Sequence, residues 1–445
     1  MGENKPFDRF LSDDNLVFLE NDCIRIGVNL SLGGALTYLA EKGGKNLINS
    51  YDWGRQVQMS FYNHPVPFQP DGVPMADRWK HIGWNPIQSG DVGRNRSRVL
   101  DWHSKNGEVY VKCIPMHWPL DNYPGECTFE VWYQLDGYCV NVVSRLNNAR
   151  PDPVQYPARR QELPAVYTNG EWYRGGSYVG KKPFTDDTLT ELVGKNDGLG
   201  YPWLQFYPTE NWSALVDEQD YGLGICIGST GFSKIGFWRE ENKGWGGPRD
   251  NQTGYVAPFA PEVLDADIVY TYEYSLIVGQ LDFIRKTACE KVQTFDRCRF
   301  RFSHDRAHFY YKDITDQGLP TGGCLAFDFA PGAELKSPPL FYGKGEHDAV
   351  VLDACFEGEI TGAVICNLYD GIDERHWGVL SEYAVPFAVT GSGRGQYVLD
   401  ISAVPDCFIG FSIRFTCAGH LQVYSVELKR IIVFDELYIC SKIYK

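Results

Sequence analysis

Period-two alternation of apolar and polar residues is the feature that most restricts what this chain can fold into. It is clearest in residues 126–146, where every second position of the first half is apolar: Cys127, Phe129, Val131, Tyr133 and Leu135. Side chains two apart share one face of a strand, so this segment predicts a strand packed on a core. The Asp136-Gly137 pair that follows is a strong signal for a tight hairpin turn. Similar patterns predict strands at 161–168, 203–207, 213–217, 222–228, 234–238 and 268–278.

Composition, like these strand patterns, predicts an all-β protein. The 445 residues include 46 Gly and 25 Pro, and 14% are aromatic, which favours short strands joined by many turns. Residues 16–40 predict two strands around a turn at Gly33-Gly34. A single helix is predicted for residues 281–292, where Phe283, Ile284 and Ala288 recur at helical spacing. The length suggests two or three domains, or fewer if they are large β folds.

The last third of the chain has a different sequence pattern, with short predicted strands between frequent turns. From about residue 295, short β runs recur between Gly, Pro and Asp turns, at 349–356, 361–368, 396–401, 410–415 and 421–429. Strands at this spacing predict a β-sandwich or jelly roll.

Charge and cysteine content exclude several classes of function. The formal net charge is -15, which argues against nucleic acid and anionic membranes as partners, because both require a basic surface. The 13 Cys are scattered singly without a Cys-x-x-Cys pair, so we expect buried free thiols in a reducing compartment. We predict no metal at the chemistry and no cofactor.

The amino terminus indicates a location in the cell. It lacks a positively charged region followed by an apolar run, and no stretch of ~18 apolar residues occurs in the chain. We expect a cytoplasmic protein, with secretion after removal of a signal peptide as the alternative.

A strand with an unusual polar face is predicted at residues 56–64. Gln56, Gln58, Ser60, Tyr62 and His64 alternate with apolar residues at 57, 59 and 61. Amides, a hydroxyl, a phenol and an imidazole hold sugar hydroxyls through directional hydrogen bonds. This strand is either one wall of a saccharide site or an ordinary exposed sheet face.

A long, loop-rich segment follows, at residues 65–98. Loops of this length are uncommon in compact domains unless they are functional, and this one is dense in polar and aromatic groups. We expect it to line a site with His81, Trp84, Asn85, Gln88 and Asp91.

Two segments resemble a known family. Asp121-Asn122-Tyr123-Pro124-Gly125, followed by the alternating strand, is similar to the corresponding segment of aldose 1-epimerases, and so is the early strand pair with Gly33-Gly34. The resemblance implies a galactose-mutarotase-like antiparallel supersandwich over residues 1–280. A helical connector at 281–294 and a jelly-roll, carbohydrate-binding-like domain at 295–445 would follow. The strand-rich stretch that begins at Trp377 is typical of such a domain.

The same resemblance reveals a departure from the epimerases. Those enzymes carry a catalytic His after the hairpin, but this chain has Arg159-Arg160-Gln161-Glu162 there and no His between His117 and His304. The fold is shared by glycoside hydrolases and polysaccharide lyases, so cleavage of a glycosidic bond is the preferred prediction.

Hydrolysis of a glycosidic bond usually requires two carboxyl groups. Glu162 is the first candidate, because alternation places it on the same face as Arg160, which would favour its ionised form as base or nucleophile. Asp91 is the second, and His81 is an acid or base candidate. The alternatives are a structural Arg-Glu pair, a loop-forming or calcium-binding Asp91 and a hydrogen-bonded structural His81.

A wider set of residues is expected to contact the substrate. The predicted substrate-binding residues are Gln56, Gln58, Tyr62, His64, Trp84, Asn85, Gln88, Arg159, Arg160, Tyr167, Glu171, Trp172 and Glu273. The rings expected to stack on sugars or to fill the core are Trp53, Trp79, Trp84, Trp172, Tyr173, Trp203, Trp238 and Trp245.

The predicted ligand is an oligosaccharide, polysaccharide or glycoside. Arginines concentrated in the same loops make an anionic sugar a further prediction, with solvated surface arginines as the alternative. A polysaccharide lyase acting on a uronate is the runner-up function. A non-catalytic carbohydrate-binding protein and a sugar epimerase are the remaining alternatives, and a homo-oligomer is one option for assembly.

Overall fold

The architecture is taken from a computed structural model that describes residues 16–75, 77–193, 202–239, 250–371 and 380–431. The strands in chain order are β1 (Leu16–Glu20), β2 (Ile24–Asn29), β3 (Ala35–Glu41), β4 (Val57–Ser60), β5 (Pro86–Ile87), β6 (Arg98–Lys105), β7 (Glu108–Ile114), β8 (Met116–His117), β9 (Cys127–Asp136), β10 (Cys139–Asn148), β11 (Arg159–Asn169), β12 (Arg174–Ser177), β13 (Thr190–Leu192), β14 (Leu204–Phe206), β15 (Trp212–Val216), β16 (Tyr221–Cys226), β17 (Ser233–Trp238), β18 (Thr253–Glu262), β19 (Val269–Gln280), β20 (Arg299–Arg301), β21 (Tyr310–Lys312), β22 (Leu325–Phe329), β23 (Glu334–Lys336), β24 (Phe341–Tyr342), β25 (Ala349–Leu368), β26 (Ser381–Asp400), β27 (Phe408–Phe415) and β28 (Gly419–Lys429). The predicted all-β class is confirmed.

Two antiparallel sheets pack face to face over the first part of the chain. The first sheet has the order β1-β2-β3-β4-β11-β18-β17-β14, with β5 and β8 continuing from β4, and the second runs β13-β12-β15-β16-β19-β10-β9-β7-β6. One core lies between them, and alternate residues of the predicted strands enter it, including Phe129, Val131 and Tyr133. The tyrosines at 270, 272 and 274 also point into this core, so both alternation patterns are confirmed.

The number of strands differs from the sequence prediction in two segments. Residues 16–41 form three strands rather than two, because β1 pairs with β2 from Leu16 to Glu20. The runs predicted at 349–356 and 361–368 are one continuous strand of 20 residues, β25. Gly358 lies inside it with a φ of 87° and pairs directly with Gly391 of β26, so the predicted turn is absorbed into the ladder.

Helix α1 (Leu281–Val292) confirms the predicted helix. Its buried residues Ile284 and Ala288 pack on the outer face of the second sheet. Arg285 fastens it there, because its guanidinium lies 2.9 Å from the fully buried Glu210 carboxylate. None of the described helices is long and apolar enough to cross a membrane.

Strands β20 to β28 form a third sheet with its own core. β25 pairs with β26 along its full length, whereas its other edge pairs with β28 over residues 349–355 and with β27 over residues 362–368. The two halves of β25, together with β27 and β28, therefore pack around one apolar core. The third-sheet part of the chain contacts the first part through charged pairs: Arg306, which also donates to Asp316 of its own part, donates to Asp265, and the His308 ring lies 2.7 Å from Glu262.

The twelve described cysteines are all free thiols, and seven of them are buried. Burial raises the pKa of Cys113 and of Cys226 to about 12. These thiols behave as apolar core residues, as their positions on strand patterns predict.

Candidate functional site

A cavity of about 430 Å³ opens on the outer face of the first sheet, away from the core. Its floor is built from β4, β11 and β18, which contribute Gln58, Ser60, Glu162, Tyr167 and Thr253. A volume of this size is in the range of small-ligand sites. Of the polar face predicted for residues 56–64, Gln58, Ser60 and Tyr62 therefore line a cavity, whereas the alternating apolar residues Val57, Met59 and Phe61 enter the core.

A bulge in β11 sets which side chains reach the cavity. Pairing with β4 and β18 shifts register between Glu162 and Val166, because Pro164 has no N–H to donate to the ladder. Leu163 and Val166 point into the core, whereas Glu162, Ala165 and Tyr167 line the cavity. An ideal strand would have turned Glu162 and Ala165 to opposite faces.

Glu162 is the buried carboxylate of the cavity, with 9% of its surface exposed. Tyr255 donates a 2.6 Å hydrogen bond to Oε1, and Tyr62 donates a 2.8 Å hydrogen bond to Oε2. Burial raises the pKa of both tyrosines well above its usual value, and the charge of Glu162 adds to the rise. Both phenols therefore remain protonated donors, and the carboxylate is held in one orientation.

Arg160 does not pair with Glu162, contrary to the prediction. Its guanidinium is exposed, donates a 3.0 Å hydrogen bond to Oε1 of Gln205 and lies 4.5 Å from the ring centre of Phe232. The carboxylate depends on two phenols instead, which sequence spacing could not indicate.

Aromatic rings form much of the cavity wall. Trp79 and Trp118 meet edge to face with ring centres 5.8 Å apart, and the Trp203 ring lies 4.7 Å from that of Tyr255. Trp238 also lines the cavity. Flat apolar rings beside hydrogen-bonding groups fit the two kinds of surface that a sugar ring presents.

One side of the cavity carries a charged group that the sequence interpretation missed. Arg55 donates hydrogen bonds of 2.7 and 2.6 Å to the backbone and side-chain oxygens of Asn251, and it lies 3.5 Å from the carboxylate of Asp52. The guanidinium also lies 4.8 Å from the ring centre of Tyr51. The available signal was the dense run of polar and aromatic residues at 51–55, immediately before the predicted strand.

Two predicted amides line the cavity but are largely occupied. Gln58 donates to the backbone oxygens of Trp53 and Arg55, and Asn85 donates a 2.7 Å hydrogen bond to the backbone oxygen of Phe61. Their main role is to hold the loops that form the cavity wall.

Asp91 is not among the residues that line the cavity, so the structure does not bring it together with Glu162 there. Its fully buried carboxylate accepts hydrogen bonds from the backbone and side chain of Asn95 and from the backbone of Asn122. Burial raises the pKa of Asp91, although these hydrogen bonds oppose the rise. The group ties two loops together, which was the alternative interpretation.

His81 is exposed and is not among the residues that line the cavity. His64 stacks on Tyr156 with ring centres 5.6 Å apart, and burial lowers its pKa. Arg159 donates to the backbone oxygens of Asn63 and Ile82, which holds the 3₁₀ turn Asp77–Ile82 against the sheet. None of these three side chains reaches the cavity.

Three other predicted contacts are internal. Gln56 donates to the backbone of Asp52, and Gln88 donates to the backbone of Gly33. Trp84 is fully buried in the core, where its indole donates to Glu126.

The remaining predicted contacts lie elsewhere. Glu171 pairs with Lys45 at the surface, 2.8 Å away, and Trp172 is buried in the core. Glu273 is exposed on the outer face of the second sheet. Trp245 and Trp377 lie outside the described residues. The described part of the chain contains no group of three or more His, Cys, Asp or Glu side chains that could hold a metal ion.

Taken together, the fold and site define an antiparallel β-sandwich protein with a ligand-sized cavity on one sheet. No family model and no curated protein matches the sequence. Among solved structures, a galactose mutarotase-like protein from Lactobacillus casei is 13% identical, with 59% of this chain and 99% of that chain covered at a TM-score of 0.36. A putative aldose 1-epimerase from Escherichia coli is 12% identical, with 60% and 99% covered at a TM-score of 0.37.

A third solved structure matches a smaller part of the chain. CsCBM6-3 from Clostridium stercorarium, in complex with cellobiose, is 14% identical and covers 30% of this chain and 92% of its own, at a TM-score of 0.21. Galactose mutarotase-like proteins are among the solved structures to which this chain is similar. At these identities the likeness concerns the fold alone.

Proposed function

We propose that this protein is a carbohydrate-active enzyme that acts on a saccharide unit bound in the cavity of the first sheet, with Glu162 as its base or nucleophile. The observation that carries the proposal is the Glu162 carboxylate, held by Tyr62 and Tyr255 on the floor of a cavity with tryptophan walls. A carboxylate with fixed orientation beside flat rings suits a reaction at a sugar carbon or hydroxyl.

Hydrolysis of a glycosidic bond is the preferred reaction. It needs a second carboxyl group, and Asp52 replaces Asp91 in that role because Asp52 lines the same cavity. The Asp52 side chain is 39% exposed, so the rim that it occupies is open to a water molecule and to a leaving group.

The raised pKa values of Tyr62 and Tyr255 argue against the lyase alternative. A lyase would use a phenolate to remove a proton from carbon, and burial beside a carboxylate makes a phenolate costly here.

The test compares Glu162→Gln with Glu171→Gln, a matched loss of a surface carboxylate. Each protein is screened against nitrophenyl glycosides and oligosaccharides for new reducing ends, for ultraviolet absorbance of unsaturated products and for binding. On a substrate found with the wild-type protein, we expect Glu162→Gln to lower kcat by about 10³-fold and Glu171→Gln to leave it unchanged.

Several outcomes would contradict the proposal. Undiminished turnover by Glu162→Gln would remove Glu162 from the reaction. An unsaturated product would indicate a lyase, anomer exchange without cleavage would indicate an epimerase, and binding without any turnover would indicate a carbohydrate-binding protein.

A further inference from the structure

Beside Glu162, the outer face of the first sheet carries a group of residues that we call the basic shelf: Arg160, Gln205 and Lys234. Arg160 precedes Glu162 by two positions on β11, before the bulge, so the two side chains share a face. On the neighbouring strand β18, Phe259 lies directly opposite Glu162, and Ala257 lies two positions from Phe259 on the same face. Lys234 is directly opposite Ala257 on one side and Gln205 on the other, so both share that face. The shelf therefore continues the floor of the cavity across two further strands, β17 and β14.

The contacts of the shelf confirm that its members are neighbours. Arg160 donates its 3.0 Å hydrogen bond to Gln205, which is the residue directly opposite Lys234. The two cations lie over a shared apolar base: Arg160 is 4.5 Å from the ring centre of Phe232, and Lys234 is 4.9 Å from that of Phe259. Those two rings meet edge to face at 6.2 Å.

The third sheet borders the shelf on its far side. Burial raises the pKa of Tyr207 and raises that of Tyr310 to about 12, while the positive charge of Arg160 opposes both rises. The Tyr207 ring lies 5.2 Å from that of Phe232, on which Arg160 packs, and 6.3 Å from that of Tyr369, which directly follows β25 of the third sheet, so the shelf lies at the junction between the two parts of the chain. A ligand on the shelf would contact the cavity at one end and the third sheet at the other.

The charge of Arg160 is unusual for its surroundings. Within the described ranges no carboxylate lies within 4.0 Å of its guanidinium, and its hydrogen bond goes to a neutral amide. A guanidinium has five N–H donors in a fork that matches carboxylate and sulfate. The chain has a net charge of -15, so an exposed arginine without a carboxylate partner beside Glu162 would favour anionic over neutral ligands at this place.

We propose that the basic shelf binds an anionic group, a carboxylate or a sulfate, carried by the saccharide whose ring occupies the cavity. The substrate class is therefore an acidic saccharide. Arg160 supplies the directional contact, and Lys234 adds a second positive charge on the same face. This inference rests on the proposed function, because it assumes that a sugar ring lies beside Glu162.

The experiment measures binding of matched neutral and anionic sugars by titration calorimetry at low and at high salt. The probes are galactose, galacturonate and galactose 6-sulfate, with glucose, glucuronate and glucose 6-sulfate as a second series, each as the monosaccharide and as a disaccharide. The proteins are wild type, Arg160→Gln, Lys234→Gln and Arg98→Gln, an exposed arginine on the edge strand of the second sheet.

In wild type, we expect at least one anionic probe to bind about tenfold or more tightly than its neutral counterpart, with a preference that shrinks as salt rises. Arg160→Gln should remove this preference and Lys234→Gln should reduce it, whereas Arg98→Gln should retain it. Equal affinity for every neutral and anionic pair, or a preference that survives Arg160→Gln, would overturn the proposal. The uronate and the sulfate arms separately identify which anion is recognised.

Glu162→Gln separates this inference from the proposed function. That variant should keep the preference for the anionic probe while it loses turnover. A charge preference without any turnover in wild type would contradict the enzymatic proposal alone, and turnover with no charge preference would contradict the shelf alone.

Discussion

The hydroxyl of Tyr255 donates a 2.6 Å hydrogen bond to Oε1 of Glu162, across two neighbouring strands of the first sheet. The other carboxylate oxygen accepts from Tyr62. Each oxygen therefore has one fixed phenolic donor, and the carboxylate is oriented without any arginine.

Tyr255→Phe tests this arrangement. The phenylalanine ring keeps the contacts with Trp203 and Tyr167 but removes a hydrogen bond to a buried charged group, which is typically worth about 1.5–3 kcal/mol. We expect turnover to fall by about 10- to 100-fold with little change in ligand affinity, as measured by steady-state kinetics and calorimetry. Tyr123→Phe, which removes a more exposed bond to Asp71, is the control and should leave turnover unchanged. Unchanged kinetics in Tyr255→Phe would show that Tyr62 alone suffices.

Trp118→Leu tests the aromatic wall. The indole packs edge to face on Trp79 at the cavity, so its loss removes one flat surface for a sugar ring without touching Glu162. We expect the dissociation constant for a bound saccharide to rise by about tenfold, equivalent to about 1.4 kcal/mol. The matched control is Trp132→Leu on the outer face of the second sheet, beside Arg145. Equal effects of the two substitutions would argue against stacking at Trp118.

Strand content was predictable because period-two alternation reports directly on a half-buried sheet. The core positions Phe129 and Tyr272 follow from it, and the separate recurrence of apolar residues at helical spacing gives the helix that buries Ile284. Strand β18 had no such signal. It contains Pro258 and Pro261, which normally argue against a central strand, and the sequence interpretation therefore missed the strand that carries Tyr255.

Site residues were harder to predict for a different physical reason. The amides that bind sugars also satisfy buried backbone groups, and Gln88 and Asn85 are used for that purpose. Composition cannot distinguish the two uses. Only the packing of the loops shows that Asp52 reaches the cavity whereas Asp91 serves to tie loops together.

The contact between His308 and Glu262 predicts a pH-dependent junction between the first and third sheets. Burial lowers the pKa of His308, but the charge of Glu262 and the hydrogen bond to it outweigh burial, with a smaller contribution from Asp305, so the pKa is raised overall. A raised pKa in the folded state stabilises the protein below the unfolded value of about 6.5, and that stability is lost as pH rises through the folded value.

We therefore expect the free energy of unfolding of wild type to fall as pH rises above about 6.5, and His308→Gln to lose that component. Urea unfolding at several pH values measures the difference. His420→Gln is the control, because His420 pairs with the exposed Asp328 within the third sheet. An identical pH slope in wild type and His308→Gln would contradict the assignment.

Glu334 predicts the opposite pH dependence within the third sheet. Its carboxylate is 1% exposed and lies 3.0 to 3.1 Å from the charged groups of Lys312, Lys336 and Arg414. Burial raises its pKa, but these cations and Ser412 outweigh burial and lower it from 4.5 to about 2. A depressed pKa contributes stability that is fully present above the unfolded value of 4.5 and is lost as pH falls toward 2.

A shift of that size corresponds to about 3 kcal/mol at neutral pH. We expect Glu334→Gln to destabilise the protein by about that amount at pH 7, because three cations lose their shared buried partner, and by much less near pH 2. Glu382→Gln is the matched control: it also pairs with Arg414, at 2.9 Å, but it is 49% exposed and should cost less than about 1 kcal/mol. Equal losses in the two variants, measured by urea unfolding across pH 2–7, would show that burial of Glu334 adds nothing to the interaction.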